Sequence, residues 1–398
     1  MNVTITPGKL HGTIAAIPSK SHAHRALICA AFSDTETALY CPATNADMDS
    51  TAQCLVALGA NIRRTETGYL VSPAVNIPQT AQLDCGESGS TLRFLLPVAA
   101  VLGVDTTFHM SGRLPSRPLS PLWEEMERMG CSLTRPTDNT LRCRGQLHPG
   151  VYRIAGNVSS QFITGLLLAA VLMPGDTQIQ IIGKLESQPY VEMTQHVMAQ
   201  FGVISEGFHI DANQKYRSPG RLSVEGDWSN AAFFLAAHAL GSDIAVTNLH
   251  PDSPQGDRAV VKYLSMLEEN CTISAMDIPD LIPILSVVAG AKKGAVFTGV
   301  GRLRLKESDR VAAIIHMLEN IGGQAWSSED TLTVCGTGFI GGTVDSVNDH
   351  RIAMSAAIAA TVCREPLTVL DAEAVNKSYP LFWDDFRTLG GNYEQHLR

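Results

Sequence analysis

The feature that most constrains this chain is a recurrence. A helix that is apolar on nearly every side is followed by an amphipathic helix with a matching tail. The apolar helices read RALICAAF from Arg25, RFLLPVAAVLG from Arg93, FITGLLLAAVLM from Phe162, AAFFLAAHALG from Ala231, LIPILSVVAG from Leu281 and RIAMSAAIAATV from Arg351. The tails read LVALGANI, MERMGCSL, MAQFGVIS, MLEENCTI, MLENIGGQA and FRTLGGNY. Gly59, Gly130, Gly202, Gly322 and Gly390 stand where a helix ends in the left-handed conformation. Asn270 fills the remaining place and is the other residue tolerant of that conformation.

The period is roughly 70 residues, with the fifth unit shortened. A helix apolar all round belongs in a core, so each unit implies a buried helix, an exposed helix and strands in mixed sheets outside them. Three units to a domain give two domains. The chain crosses between them near SVEGDWSN, Ser223 to Asn230. The first lobe is expected over 18–225, and the second over 1–17 plus 226–398. The opening segment MNVTITPGKLHGTIAAI is then a strand of the second lobe.

Composition limits the function. With 398 residues and 45% hydrophobic content, the chain has enough apolar side chains for a large core. Its net charge of −9 argues against general nucleic-acid binding but not against a small anion, which needs only a local cluster of Lys and Arg. The nine cysteines contain no CxxC pair, so they read as free thiols, mostly buried, rather than a zinc site or disulfide framework. No apolar signal segment opens the chain, and the run Phe162 to Gly175 is too short to span a bilayer. A cytoplasmic location with no membrane partner is expected.

The residues ahead of the buried helices carry the chemistry. They read PSKSHAHR, CGESGSTLR, GNVSSQF, GDWSN, DIPD and NDHR. Ser, Asp and Asn are ordinary caps. Lys20, Arg25, Arg93 and Arg351 are not explained by capping, because cations oppose the dipole there. A helix N-terminus already favours an anion, and added cations indicate a ligand of strong negative charge. In LRLKESDR, Lys306 and Arg310 stand beside Glu307 and Asp309 at another helix mouth.

Taken in order, PSKSHAHR, GESGSTLRF, LPSRPLSPL, GNVSSQF, ESQPYVEMT, DIPDLIPIL, LRLKESDR, NDHRIAM and NKSYP resemble the 5-enolpyruvylshikimate-3-phosphate synthase family over essentially the whole chain. KESDR and NDHRIAM carry the most specificity. The resemblance implies a two-domain inside-out α/β barrel of βαβαββ-type repeats with buried parallel helices and an active site in the interdomain cleft. It also implies transfer of the enolpyruvyl group of phosphoenolpyruvate to the 5-hydroxyl of shikimate 3-phosphate. The expected partners are these two small molecules alone, with no metal or organic cofactor, and the expected state is a monomer.

By the same resemblance, Lys20, Ser21, Arg25, Ser159, Ser160, Gln161, Ser187, Asp280 and Lys306 bind shikimate 3-phosphate, and Tyr190 lines that pocket. Lys20, Gly89, Arg117, Gln161, Arg310, Arg351 and Lys377 bind phosphoenolpyruvate. Asp280 takes the proton of the hydroxyl, Glu307 protonates carbon, and Lys20 assists. Arg93 braces its loop, Asp309 caps or pairs, and His350 stands behind the ligands. His22 and His24 read as orienting or surface residues. Glu87 and Arg302 depart from the family pattern.

Two rival readings share this scaffold. One is the transferase that acts on UDP-N-acetylglucosamine; its reactive cysteine has no counterpart in SGRLPSRPLSP. The other is a non-catalytic anion-binding protein, which would not require Asp280 and Glu307 beside Lys20.

Overall fold

The structure, a computed structural model, describes residues 1–396. It divides into two compact units. One is Pro18–Val224; the other joins Met1–Ile17 to the segment from Glu225 onward.

The repeat is plainest in the middle of Pro18–Val224. Strand Thr80–Asp84 leads into helix Gly89–Val101, which returns to strand Asp105–His109, and the two strands pair in parallel. The helix buries every residue except Ser90, as its uniformly apolar sequence requires. Helix Leu122–Arg128 follows and buries only Leu122 and Met126. The hairpin Cys131–Thr134 and Thr140–Gly145 then completes a four-stranded sheet by antiparallel pairing. Along the first strand Ala81 and Leu83 point inward while Thr80, Gln82 and Asp84 are exposed, the alternation of a sheet with one wet face.

The neighbouring repeats vary this plan. The first takes its leading strand from the end of the unit, where Arg221–Ser223 pairs in parallel with Thr37–Tyr40. In the third, Val151–Ala155 pairs in parallel with Thr177–Ile182, and the short strand His209–Ile210 closes the sheet.

The unit containing the chain's start closes on itself in a similar way. The opening segment forms two strands rather than one, Asn2–Thr6 and His11–Ala15. Pro7, which has no N–H to donate, stands at the break between them. The first strand pairs with Leu367–Leu370 and Asn392–His396, the second with Asp243–Thr247.

The spacing of the tails locates the shortened repeat one unit too late. It is the fourth that lacks a hairpin: its sheet has two strands, and after helix Val260–Met266 the chain passes directly into strand Cys271–Ser274. Asn270 accordingly does not adopt a left-handed conformation; its side chain donates to the Lys293 carbonyl instead. Gly59, Gly130, Gly202, Gly322 and Gly390 do adopt it, with φ from +76° to +111°.

Each unit has its own hydrophobic core built around its apolar helices. Large side chains such as Phe94, Phe162, Phe233 and Phe297 are fully buried there, each worth about 1.5–3 kcal/mol of transfer free energy. Helix Ser160–Ala170 lies so close to Gly89–Val101 that a Cβ on Gly165 would fall 2.2 Å from the Arg93 carbonyl oxygen. That close approach brings the mouths of two helices together. The nine cysteines are free, and those other than Cys271 and Cys335 are buried.

Candidate functional site

Ser19, Ser88 and Ser159 cap the three buried helices of Pro18–Val224, each accepting a hydrogen bond from a backbone N–H of the first turn. At these mouths the structure gathers the residues expected of this unit. Lys20 reaches the Asp47 carboxylate at 2.9 Å. Arg25 is buried, and its guanidinium donates to neutral oxygens: Nε to Thr194 Oγ1, Nη1 to the Ser21 carbonyl, and Nη2 to Thr164 Oγ1 and the Tyr190 carbonyl. Burial lowers its pKa to about 10, which leaves it charged at neutral pH. Phe94 lies beneath it, 5.0 Å from ring centre to guanidinium carbon.

Arg93 ties together the other two mouths. Its Nη1 donates to Gln161 Oε1 at 2.7 Å and its Nη2 to the Pro118 carbonyl at 3.1 Å. Gln161 in turn donates to Ser90 Oγ. Arg93 thus braces both Gln161 and the loop that carries Arg117. Gly89 was expected to admit phosphoenolpyruvate to the backbone. The group that approaches it here is the Arg117 guanidinium, whose Nη1 would lie 2.7 Å from a Cβ at that position. Ser160 is buried at the start of its helix. Ser187 is also buried, at the mouth of helix Gln188–Gln200, in a left-handed conformation (φ +56°) that a non-glycine residue rarely holds without cause. Glu87 lies against Gly112.

The two histidines of PSKSHAHR are buried, not on the surface. His24 Nδ1 meets Thr51 Oγ1, and Thr51 meets Thr91. Burial first, then the charges of Lys20 and Arg25, hold its pKa well below the usual value, so the ring is neutral.

In the other unit, charged groups face one another. Asp280 Oδ1 lies 2.7 Å from Arg310 Nη1 and 3.4 Å from Lys306 Nζ, and Oδ2 lies 3.2 Å from Arg351 Nη2. Arg351 Nη1 also donates to the Asp280 carbonyl. Asp280 stands just ahead of a helix, where an Asp is ordinarily a cap. The capping position of helix Ile282–Ala291 is instead Leu281, and the Asp280 carboxylate faces the three cations. Burial raises its pKa, but Arg351, Lys306 and Arg310 together pull it well below the usual carboxylate value.

Arg310 is almost wholly buried, and it spans three carboxylates. Nη1 meets Asp280, Nη2 meets Glu307 at 2.7 Å, and Nε meets Asp349 at 2.8 Å. Asp309 caps helix Arg310–Asn320 and pairs with Arg304, as expected of it. Lys306 is pushed down to about 8, chiefly by burial, with the charges of Arg310 and Arg302 adding to the effect. Arg302, which departs from the family pattern, therefore acts electrostatically on this cluster. Lys377 Nζ donates to the Asn348 carbonyl. His350 is buried beside Asp349.

Two of these observations correct the sequence reading. Cations at a helix mouth were taken to need an outside anion to screen them; here Asp280, Glu307 and Asp349 do so, and Asp47 does so for Lys20. Asp349 and Asp47 were also not singled out as partners of these cations. Asp349 lies in a motif that was noticed, NDHR, but looks like a plain cap. Asp47 looks like an acid in the first turn of a surface helix, and no signal in the sequence links it to Lys20.

The chain matches the family model described as EPSP synthase (3-phosphoshikimate 1-carboxyvinyltransferase) over residues 5–386. A 3-phosphoshikimate 1-carboxyvinyltransferase of Clostridium kluyveri is 39% identical over 419 residues, covering 99% of this chain and 98% of that protein. One from Clostridium perfringens is 39% identical over 418 residues, covering 98% of both. Among solved structures, an EPSP synthase from Acinetobacter baumannii matches with a TM-score of 0.81 at 24% identity, covering 99% of each chain. The enolpyruvyl transferase NikO from Streptomyces tendae matches with a TM-score of 0.75 at 16% identity, covering 99% of this chain and 98% of that one. At these identities the structural matches speak for the fold, the two-domain inside-out α/β architecture.

Proposed function

This chain belongs to the EPSP synthase family, and from that premise we propose how its residues divide the reaction. The enzyme transfers the enolpyruvyl group of phosphoenolpyruvate to the 5-hydroxyl of shikimate 3-phosphate and releases phosphate, a step of the shikimate pathway.

The observation that carries the assignment is the convergence of Lys306, Arg310 and Arg351 on the Asp280 carboxylate. With the substrates absent, these cations make Asp280 a poor base. The carboxylate and phosphate of phosphoenolpyruvate compete for Arg310 and Arg351, and the phosphate of shikimate 3-phosphate competes for Lys306. As the cations turn to the substrates, negative charge on Asp280 is less stabilised and its basicity rises. It then accepts the proton of the 5-hydroxyl while that oxygen bonds to C2 of phosphoenolpyruvate. Glu307 delivers a proton to C3, giving a tetrahedral adduct. Return of a C3 proton to the Glu307 carboxylate, with cleavage of the C2–O bond to phosphate, restores the double bond.

Lys20, Ser21, Arg25, Ser159, Ser160, Gln161 and Ser187 hold shikimate 3-phosphate in this reading. Lys20, Gly89, Arg117, Gln161 and Lys377 contribute to phosphoenolpyruvate. The reaction draws on residues of both units. Holding both reactants in place removes translational freedom from the barrier. No helix among the described residues is long and apolar enough to cross a membrane, and the reading carries with it a cytoplasmic monomer.

Phosphate release from purified protein supplied with both substrates tests the activity. Release is expected with shikimate 3-phosphate as acceptor and not with UDP-N-acetylglucosamine. Release only with the UDP sugar, or with neither, would overturn the reading.

A further inference from the structure

We infer that Asp349 is a positioning residue for the phosphoenolpyruvate side of the reaction, fixing the Arg310 guanidinium between Asp280 and Glu307. The inference rests on the functional reading above.

Asp349 has no solvent exposure at all, which is costly for a carboxylate. Capping does not explain the charge. It accepts the Arg351 N–H at the head of helix His350–Ala360, but serines do the same work for three buried helices of the other unit. What a serine could not do is pair with Arg310. Asp349 Oδ2 takes Nε at 2.8 Å, Oδ1 lies 3.4 Å from Nη2, and Ser308 Oγ donates to Oδ2 at 2.9 Å. With its Nε edge held, a planar guanidinium has little freedom to rotate. Its two terminal nitrogens are left pointing at Asp280 and Glu307, each at 2.7 Å.

The backbone ahead of Asp349 is also constrained. Val347 and Asn348 have φ of +47° and +58°, and such a conformation is unusual for a β-branched residue. The Asn348 carbonyl in this strained turn accepts from Lys377 Nζ. One short loop therefore touches Arg310 through a carboxylate, Arg351 through a cap, and Lys377 through a carbonyl. All three are assigned to phosphoenolpyruvate.

The test is the Asp349→Asn variant, which keeps the shape and the capping oxygen and removes the charge. Steady-state kinetics per folded molecule should show KM for phosphoenolpyruvate raised about tenfold or more, with KM for shikimate 3-phosphate within about twofold of the parent. A purely structural role would lower thermal stability and leave this split absent. Parent values of both constants, or equal shifts in both, overturn the inference. If the variant does not fold, Ser308→Ala decides: a selective rise in KM for phosphoenolpyruvate supports the inference, and parent values overturn it. Failure of the reaction itself would show as an inactive parent, which is distinguishable from either result.

Discussion

Arg25 and Arg310, one buried arginine in each unit, are held by different chemistry. In Pro18–Val224, Arg25 donates to carbonyl and hydroxyl oxygens, which fix a guanidinium without cancelling its charge. In the other unit, Arg310 and Arg351 face carboxylates, which neutralise them until something competes. The first arrangement is suited to standing ready for an anion. In the proposed reaction the second couples binding to catalysis, because a substrate that takes the cations also releases the base. Removing Arg25 should therefore act on affinity, and removing the Asp280 carboxylate on turnover.

The largest effect is expected at Asp280. Asp280→Asn keeps the shape but cannot accept a proton, and kcat should fall about 10²–10⁴-fold. A fall below about tenfold, at saturating substrates, would remove Asp280 from the role of base. Arg25→Met provides the contrast. Thr164 and Thr194 already lie 2.9 Å apart and can satisfy each other when the guanidinium is gone, so the fold should survive. Losing charged hydrogen bonds worth about 1.5–3 kcal/mol should raise KM for shikimate 3-phosphate roughly 10–100-fold, with kcat changed only a few-fold. If Arg25→Met instead lowers kcat as far as Asp280→Asn while KM stays put, the distinction between the two units fails.

Much of this was legible in the sequence, for physical reasons. Uniformly apolar helices must be buried, and glycine at a left-handed helix end is hard to replace, so the repeats could be counted before any contact was known. Most of the cations were legible because they oppose the helix dipole and so require a cause. Their partners were harder to read. Asp47 and Asp349 favour helix starts for ordinary reasons, and the ion pairs they form join positions 27 and 39 residues apart. Asn270 failed because residue type alone cannot report that the following hairpin is missing. The pairing of the opening segment with strands near the other end of the chain was readable only as a consequence of the two-lobe count.

A smaller effect sharpens the role of Gly89. Its backbone is that of an ordinary helical first turn, so Gly89→Ala introduces no conformational strain. The added Cβ would meet the end of the Arg117 side chain, which is flexible and can move aside, and would lie 3.1 Å from Arg93 Nη1, which must give by a few tenths of an ångström. KM for phosphoenolpyruvate should rise several-fold as Arg117 is displaced, with melting temperature unchanged or slightly higher, since alanine favours the helix. A drop in melting temperature with parent KM would mean that the glycine serves packing rather than the ligand.

The smallest effect is one of pH, and it tests whether the charge-balanced unit behaves as its contacts require. With its pKa near 8, Lys306 is charged below that pH and neutral above it. KM for shikimate 3-phosphate should thus be flat up to about pH 7 and rise a few-fold from about pH 8 to 9, where a free lysine would still be charged. Lys306→Arg keeps a charge throughout this range and should flatten the rise. The fold responds in the opposite sense. The folded pKa lies below the ordinary lysine value of 10.5, so between the two values the unfolded chain binds more protons, and this group's contribution to stability grows with pH. Affinity that weakens above about pH 8 therefore cannot be assigned to unfolding driven by Lys306. A KM profile that is equally steep in Lys306→Arg would show that the titrating group is another residue.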